Sequence, residues 1–187
     1  RVPLQLGGLP KGPLTAMSAA QIIAELTPEN VIYAEEAATS SMPLLVTLSR
    51  ARPHTHLPLT GGSIGQGLPL AVGAALAAPD RKVVCPHGDG GAAYTMQALW
   101  SMAREELDIT VVIYANRSYA ILNIELQRGG ASGAGAKALS MLDLHNVIVH
   151  GVPKASVAHL GKSFADVMPA QDFAALFTSA STMKRAG

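Results

Sequence analysis

The feature that most constrains the fold is a strand–helix–strand pattern in the middle of the chain. Residues 81–87 (RKVVCPH) and 108–116 (DITVVIYAN) are predicted strands, and residues 92–105 between them are a predicted helix. The second strand is apolar or β-branched over most of its length, which is typical of a strand covered on both faces. Such a connection is right-handed and makes the two strands parallel. The sequence therefore predicts an α/β domain of three layers (α/β/α) with a mostly parallel sheet.

Shorter patterns place the other elements around this unit. Ser18 and Gln21 are spaced as a capping box at the start of a helix, and Pro43 fits the first turn of another helix. In the helix at 92–105, one predicted face carries Met96, Leu99, Trp100 and Ala103. The remaining predicted elements are a helix at 18–26, a strand at 30–36, a helix at 41–49, a loop at 50–60, a glycine-rich entry and helix at 61–77, a short strand at 146–152 and a final helix at 169–187.

Composition and charge argue against several classes of protein. The 187 residues suffice for one domain with a substantial core. Only 14% of them are charged and the net charge is +1, without a basic block, so no binding to nucleic acid is predicted. There is no apolar run of membrane-spanning length and no signal-peptide pattern, so we expect no membrane association and a cytoplasmic location. The low charge fraction predicts an oligomer or a piece of a larger chain.

A carboxylate lies in a glycine-rich turn directly after the first strand of the central unit. Asp89 lies between two glycines in the segment CPHGDGGAAYTMQALW (residues 85–100), and Asn116 ends the second strand. Loops that follow parallel strands open at the same edge of a sheet, where ligands bind in open α/β folds. We therefore expect Asp89 and Asn116 to meet at that edge.

One interpretation of the turn is a dinucleotide site. Residues 88–93 (GDGGAA) fit the glycine pattern G-x-G-x-x-A between a strand and a helix. Asp89 would then face a pyrophosphate without a counter-charge, and the acidic residue expected near the end of the second strand is absent. Arg117 would suit a 2′-phosphate instead, so an NAD(P)-binding oxidoreductase domain stays open as an alternative.

A divalent cation gives the carboxylate a role. Mg²⁺ takes about six oxygen ligands and commonly joins one or two protein ligands to phosphate oxygens. Asp89 would supply the charge and Asn116 a neutral amide oxygen. The amides of Gly90 and Gly91 and the start of the following helix would hold phosphate. A magnesium–diphosphate site thus accounts for both the carboxylate and the glycines.

This spacing resembles a known signature. The triplet GDG at residues 88–90 and the pair AN at residues 115–116 are similar to the GDG…NN signature of thiamine-diphosphate enzymes. The likeness covers roughly residues 15–145, is strongest over residues 60–126, and is closest to the diphosphate-binding domain of the acetolactate synthase large-subunit and benzoylformate decarboxylase group. The resemblance implies the thiamine-diphosphate-binding fold.

The resemblance also implies a role for each matched residue. Asp89, the side chain of Asn116 and the backbone carbonyl of Ser118 would bind Mg²⁺. Ile64 matches the apolar residue that wedges the cofactor into its bent shape, and the carbonyl of Gly62 matches the acceptor for the aminopyrimidine amino group. The residues implied in binding thiamine diphosphate are Thr39, Gly62, Ile64, Gly90, Gly91, Asn116, Ser118 and Tyr119.

The chain departs from the family pattern in three places. Ala115 replaces the first asparagine of the pair, but the metal ligand is the second, so Mg²⁺ binding should survive. Gly91 stands where the family often has serine, which removes a hydroxyl contact. Residues 147–187 match the family poorly, and the usual closing strand is not evident there.

The resemblance further implies what lies outside the chain. Residues 1–14 are expected to be a linker and residues 15–187 one diphosphate-binding domain, without the pyrimidine-binding and middle domains of a whole subunit. No catalytic residue is expected here, because the activating glutamate lies on the pyrimidine-binding domain and neither Glu35 nor Glu36 matches it. FAD would bind only the absent middle domain. The expected partner is the pyrimidine-binding domain of the same enzyme or of a partner subunit, in a homodimer or homotetramer.

The expected function is Mg²⁺-dependent binding of thiamine diphosphate, as the cofactor-anchoring domain of an acetolactate-synthase-like transferase or lyase. Its substrates would be small 2-keto acids, which are decarboxylated and then joined to a second keto acid. A 2-keto acid decarboxylase of the benzoylformate decarboxylase type is an alternative. An NAD(P)-binding oxidoreductase domain and a non-catalytic cofactor-binding module also stay open.

Overall fold

Strands and helices alternate along most of the chain. The computed structural model describes residues 9–130, 135–144 and 156–160, together with residues 172, 174, 175 and 178. The strands are β1 (Ile32–Glu35), β2 (Thr55–Pro58), β3 (Val83–Gly88), β4 (Ile109–Tyr114) and β5 (Ser156–Leu160). The helices are α1 (Ala16–Leu26), α2 (Ser41–Leu48), α3 (Gly67–Ala77), α4 (Asp89–Thr95), α5 (Gln97–Arg104), α6 (Ala120–Arg128) and α7 (Ala136–Ser140), with a 3₁₀ turn at Ala38–Ser40.

In the described part of the chain, the strands form one five-stranded parallel sheet in the order β2-β1-β3-β4-β5. β3 and β4 pair along their whole length, from Val83 opposite Ile109 to Gly88 opposite Tyr114. The predicted strand–helix–strand unit is therefore confirmed, and so is the parallel sheet.

Different helices cover the two faces of the sheet, because successive side chains of a strand point to opposite faces. In β4, Val112 belongs to a core cluster with α1 and α2. Val111 and Ile113 belong to a second cluster with α3, α4 and α5. All six residues of β4 are buried, as its apolar sequence predicted. The three-layer α/β/α class is thus confirmed, and Cys85 lies buried in β3 as a small apolar group.

The first helix begins earlier than its sequence predicted. Thr15 is the N-cap, and its side chain accepts a hydrogen bond from the amide of Ser18 at 3.1 Å. The Ser18 hydroxyl in turn accepts from the amide of Thr15 at 2.7 Å. The capping box therefore joins Thr15 to Ser18, and the predicted pair of Ser18 and Gln21 was wrong.

The predicted helix at 92–105 begins three residues earlier than predicted, at Asp89 in the glycine-rich segment, and it is divided into two helices. α4 ends at Thr95 and α5 begins at Gln97, and the buried residues of α5 are Ala98, Leu99 and Met102. Leu99 is buried, but Trp100 is 60% exposed and lies against the guanidinium of Arg104. Met96 is also 43% exposed, so the predicted packing face was wrong for both Met96 and Trp100.

Two strands were not predicted. β2 lies in the segment that was predicted to be a loop, at the edge of the sheet, where a strand tolerates the proline and polar residues that hid it. β5 pairs with β4 from Ser156 opposite Thr110 to Leu160 opposite Tyr114. The predicted strand at 146–152 lies outside the described residues. Residues 172, 174, 175 and 178 are helical, as predicted for the last helix.

A helix that crosses a lipid bilayer needs about 20 predominantly apolar residues. Within the residues that the structure describes, no helix combines the length and the apolar character that crossing a membrane requires.

Candidate functional site

A cleft lies at the carboxyl edge of the sheet, where the strand order reverses. β1 continues through α2 to β2 on one side, whereas β3 continues through α4 and α5 to β4 on the other. Such a reversal leaves a crevice between the loops that follow the central strands. The cleft is lined by residues 36–40 after β1, by Leu59 and Ile64, by residues 88–91 after β3, and by Asn116 with residues 118–121 after β4.

Asp89 joins two of these segments. Its buried carboxylate accepts a hydrogen bond from the amide of Gly90 through Oδ1 at 2.9 Å. Oδ2 accepts from the amide of Arg117 at 2.8 Å, and Arg117 has a left-handed backbone with φ of 56°. The turn of residues 88–91, called here the GDG turn, is thereby tied to the segment of residues 115–119, called the asparagine loop. The structure thus places Asp89 against the residue that follows Asn116.

Oxygen atoms of the asparagine loop line the cleft beside Asp89. Oδ1 of Asn116 accepts from the amide of Ser118 at 3.0 Å, and the carbonyl of Ser118 accepts from the amide of Ala120 at 2.8 Å. An amide or carbonyl oxygen has two lone pairs, so each of these oxygens can still serve a metal ion. The loop itself is held by residues 142–144, through amide–carbonyl bonds from Tyr119 to Leu142 and from Leu144 to Arg117.

Glycine is required at two positions of the GDG turn by close approach of other side chains. A Cβ on Gly90 would lie 2.5 Å from Cε1 of Tyr119. A Cβ on Gly91 would collide with Oε1 of Glu36 and would lie 2.8 Å from Cε1 of His87. The family's serine at position 91 would not fit here, so Gly91 follows from the presence of Glu36.

Tyr119 closes one side of the cleft over Gly90. Burial, the neighbouring Tyr94 and the carboxylate of Asp89 together raise the pKa of the Tyr119 phenol. The phenol therefore keeps its proton at neutral pH and can donate a hydrogen bond to an anionic ligand.

The residues 61–67, called here the glycine loop, form the opposite side of the cleft. Ile64 lines the cleft and is 38% exposed, which suits a residue that contacts a ligand. Gly61, Gly62 and Gly65 have positive φ angles of 62°, 70° and 96°. Gly62 is not among the described residues that line the cleft, and its carbonyl accepts from the amide of Ile64 at 2.9 Å. Its predicted bond to an aminopyrimidine stays a prediction.

Thr39, which was predicted from the loop after β1, lies in the 3₁₀ turn and lines the cleft. The cleft therefore contains every predicted binding and metal residue except Gly62.

Sequence reasoning missed Glu36 and His87. Glu36 is 2% exposed, and its Oε1 and Oε2 accept from the amides of Gly65 and Gly67, each at 2.6 Å. Nε2 of the buried His87 lies 3.1 Å from Oε2. Burial alone would raise the pKa of Glu36, but the neighbouring His87 and the hydrogen bonds from the two amides outweigh it and lower that pKa. Two acidic residues at the end of an apolar strand were the signal that could have identified this site.

The donor set of the cleft suits a hard cation that brings most of its own ligands. Within the described residues, no group of three or more histidine, cysteine, aspartate or glutamate side chains could hold a metal. Asp89 and Asn116 instead offer one carboxylate and one neutral oxygen on adjoining loops. Mg²⁺ is commonly bound in this way, through one or two protein groups together with phosphate oxygens and water.

The sequence of this chain is similar to that of known proteins. Residues 38–184 match the family described as thiamine pyrophosphate enzyme, C-terminal TPP binding domain. A Mycobacterium tuberculosis protein, whose name provisionally describes it as the acetolactate synthase large subunit IlvX, is 53% identical over 73% of this chain. Benzoylformate decarboxylase of Pseudomonas aeruginosa is 33% identical over 59% of this chain.

Solved structures show the same architecture. The thiamine diphosphate-dependent 4-hydroxybenzoylformate decarboxylase of Rhodococcus jostii RHA1 superimposes over 96% of this chain with a TM-score of 0.69 and 25% identity. This chain spans 32% of that structure, and it spans 27% and 21% of the M. tuberculosis and P. aeruginosa relatives. The match therefore concerns one part of much longer proteins.

Proposed function

The chain belongs to the thiamine pyrophosphate enzymes through their C-terminal TPP-binding domain, and we propose that it anchors thiamine diphosphate through Mg²⁺ in the cleft at the carboxyl edge. The observation that carries this proposal is the bond from the Arg117 amide to Asp89, which brings a buried carboxylate beside Asn116. Two loops that are distant in sequence thereby line one cleft with side chains that carry oxygen atoms, which supports the proposal.

Each side of the cleft has a separate task in this proposal. Asp89, the Asn116 side chain and the Ser118 carbonyl hold Mg²⁺, while the amides of Gly90 and Gly91 and the phenol of Tyr119 hold the diphosphate. The carbonyl of Gly62 accepts from the aminopyrimidine. The residues that complete cofactor binding on the other walls are Thr39 and Ile64.

We propose that the complete enzyme acts on 2-keto acids. Thiamine diphosphate, when bound, supplies an electron sink that makes loss of CO₂ from a 2-keto acid favourable. Identity of 53% to the acetolactate synthase-like relative favours transfer of the remaining fragment to a second keto acid. Likeness to two decarboxylases favours, as a second candidate, release of an aldehyde.

This proposal requires a partner. The glutamate that activates the cofactor would come from a pyrimidine-binding domain, either of the same polypeptide or of a second subunit. The task of the chain described here is to bind and orient the cofactor, since its own buried glutamates are already hydrogen-bonded to backbone amides. If the glutamate comes from a second subunit, the cofactor lies between the subunits of a dimer or tetramer.

Calorimetric titration of thiamine diphosphate into the full-length protein tests the binding proposal. We expect binding with Mg²⁺, none with EDTA, and none in Asp89→Ala. The matched control is Asp108→Ala, because this half-exposed aspartate lies away from the cleft. Its carboxylate is 2.5 Å from Nζ of Lys82. Mg²⁺-independent binding of NADPH in place of thiamine diphosphate would establish the dinucleotide alternative and contradict the proposal.

Product analysis separates the two reactions. With pyruvate, Mg²⁺ and thiamine diphosphate, we expect a 2-hydroxy-2-methyl-3-keto acid as the main product. A free aldehyde as the main product, from pyruvate or from an aromatic 2-keto acid, would establish the decarboxylase. Cofactor binding without any turnover in the full-length protein would indicate a non-catalytic module.

A further inference from the structure

We propose that Glu36 is a positioning residue of the cleft, whose buried carboxylate fixes the glycine loop, and with it Ile64, relative to the GDG turn. The importance of Ile64 rests on the proposed function. The attachment of the loop to Glu36 rests on their hydrogen bonds alone, so the two parts can be tested separately.

The backbone of Glu36 is fixed beside the GDG turn. Its amide donates to the carbonyl of Pro86 at 2.9 Å, and its carbonyl accepts from the amide of Gly88 at 2.9 Å. These bonds extend the pairing of β1 with β3 beyond the regular strands, where Glu36 lies opposite His87 in a parallel bridge. The Cα atom of Glu36 is therefore held directly against the start of the turn.

The side chain of Glu36 reaches from this point to the glycine loop. Its two oxygens accept separately from the amides of Gly65 and Gly67, each at 2.6 Å. Hydrogen bonds to an ionised carboxylate are shorter and roughly twice as strong as neutral ones. Both glycine amides are buried, so loss of either bond would leave a donor without water to replace it.

Other bonds also hold the glycine loop: the Gln66 side chain donates to the carbonyl of Pro58 at 3.1 Å, and the Cys85 thiol donates to the carbonyl of Gly67 at 3.6 Å. Gly61 and Gly62 are exposed, and a Cβ on either would meet nothing within 4 Å. The carbonyl of Gly65 accepts from the hydroxyl of Thr95 at 2.7 Å, which fixes the loop to α4. Glu36 and Thr95 therefore hold the loop from two sides, directly after Ile64.

The groups packed around the Glu36 carboxylate restrict it to one position. Nε2 of His87, which is fully buried, lies 3.1 Å from Oε2, and Oε1 occupies the space that a side chain at Gly91 would need. A Cβ on Gly67 would lie 2.8 Å from Cβ of Glu36. One carboxylate is thus in contact with the end of β3, the GDG turn and the glycine loop, which are three of the segments around the cleft.

The test compares Glu36→Gln with Glu35→Gln in the full-length protein. Glutamine keeps the size of the side chain but turns a donor toward Gly65 or Gly67, which separates one glycine amide from its acceptor. Glu35 is the matched control, because it is 3% exposed and accepts from the Ala37 amide at 2.6 Å and the Ser41 hydroxyl at 2.5 Å. Amide hydrogen exchange at Gly65 and Gly67 and the Kd for thiamine diphosphate at saturating Mg²⁺ are measured.

We expect Glu36→Gln to accelerate exchange at both glycines and to raise the Kd about 10–100-fold, by analogy with residues that orient metal ligands. Glu35→Gln should leave exchange at both glycines unchanged. An unchanged Kd in Glu36→Gln, or equal acceleration in both variants, would overturn the positioning role.

The unmodified protein supplies a measurement that does not depend on either variant folding. The amides of Gly65 and Gly67 should exchange at least about tenfold more slowly than those of Gly61 and Gly62, because only the former are buried and bonded to a carboxylate. Equal exchange at all four would overturn the attachment. If the unmodified protein does not bind thiamine diphosphate while its two amides are protected, the proposed function fails and the attachment of the loop stands.

Discussion

The amino ends of the parallel strands form one edge of the sheet, called here the amino edge, and their carboxyl ends form the opposite, carboxyl edge. Polar side chains hold the segments at both edges together, but in opposite ways. At the amino edge, half-buried cations act: Arg81 donates to the carbonyl of Asn30 and the hydroxyl of Thr55, each at 2.7 Å. At the carboxyl edge, buried anions act: Glu36 and Asp89 accept from backbone amides of distant loops. Cations at the amino edge join segments that already touch, whereas anions at the carboxyl edge hold loops around a space. Stability and ligand binding should therefore respond differently at the two edges.

The largest effect is expected when a negative charge is removed at the carboxyl edge. Asp89→Asn keeps an oxygen for the Arg117 amide but removes the carboxylate of the proposed metal site. We expect the concentration of Mg²⁺ needed for thiamine diphosphate binding to rise by at least about 100-fold. Titration with Mg²⁺ at fixed cofactor measures it, and Asp108→Asn at the amino edge should behave as the unmodified protein. If Asp89→Asn needs no more Mg²⁺ than the unmodified protein, Asp89 is not a ligand of the metal.

The next effect concerns glycines and contrasts the carboxyl edge with a helix surface. Gly91→Ala would push a methyl group against Glu36 and His87, so we expect the free energy of unfolding to fall by about 1–3 kcal/mol. Gly73→Ala in α3 meets nothing within 4 Å and should raise it by about 0.5–1 kcal/mol. Urea unfolding measures both. If the free energy of unfolding fell in both variants, or in neither, the expected difference between Gly91 and Gly73 would be contradicted.

A smaller effect is expected from the amino edge. Arg81→Ala removes the bonds to Asn30 and Thr55, and we expect a loss of about 1–2 kcal/mol of unfolding free energy. The Kd for thiamine diphosphate should stay within about twofold of its original value, because Arg81 lies at the opposite edge. Calorimetry and urea unfolding of the same preparation check both parts. A tenfold weaker Kd would show that the two edges are coupled.

The smallest effect is a change in the acid limb of stability. Because the pKa of Glu36 is lowered in the folded protein, its ionised form stabilises the fold above its ordinary pKa of 4.5, and this contribution is lost as the pH falls through the lower folded value. Glu36→Gln should therefore flatten the fall in unfolding free energy below pH 4.5. Urea unfolding between neutral pH and this acid range measures the difference, and parallel curves for the two proteins would contradict the lowered pKa.

The central part of the fold could be predicted because its signals are local. β4 is apolar except for one threonine, and β3 begins with the apolar residues 83–86. The GDG turn, where β3 passes directly into α4, is a motif of adjacent residues. β2 could not be predicted, since Thr55–Pro58 is short and at an edge, where packing demands little of the sequence. Trp100 was misplaced because α5 buries Ala98, Leu99 and Met102, a face one residue away from the predicted one.

The candidate site shows the same limit. Asp89, Asn116 and Ile64 belong to recognisable motifs, and the structure places all three around the cleft. Glu36 was passed over because its partners, Gly65, Gly67 and His87, are remote along the chain. The spacing of apolar and polar residues along the sequence does not indicate contacts between residues so far apart. The glycine at position 91 was noted as a departure from the family, and the positions of Glu36 and His87 in the structure explain it.

The order of the strands has a consequence for how the chain folds. β3 and β4 are neighbours in sequence and in the sheet, whereas β1 must pair Ile32 with Val83 across the whole intervening segment that includes β2 and α3. Closing a longer loop costs more chain entropy, so we expect the β3–β4 unit to form first and the β1–β3 pairing later. Pulsed hydrogen exchange during refolding should then protect the amides of β4 before that of Gly88, which is bonded to Glu36 across the junction. The cleft would be completed in one of the last folding steps, so a nascent chain could not capture its cofactor early.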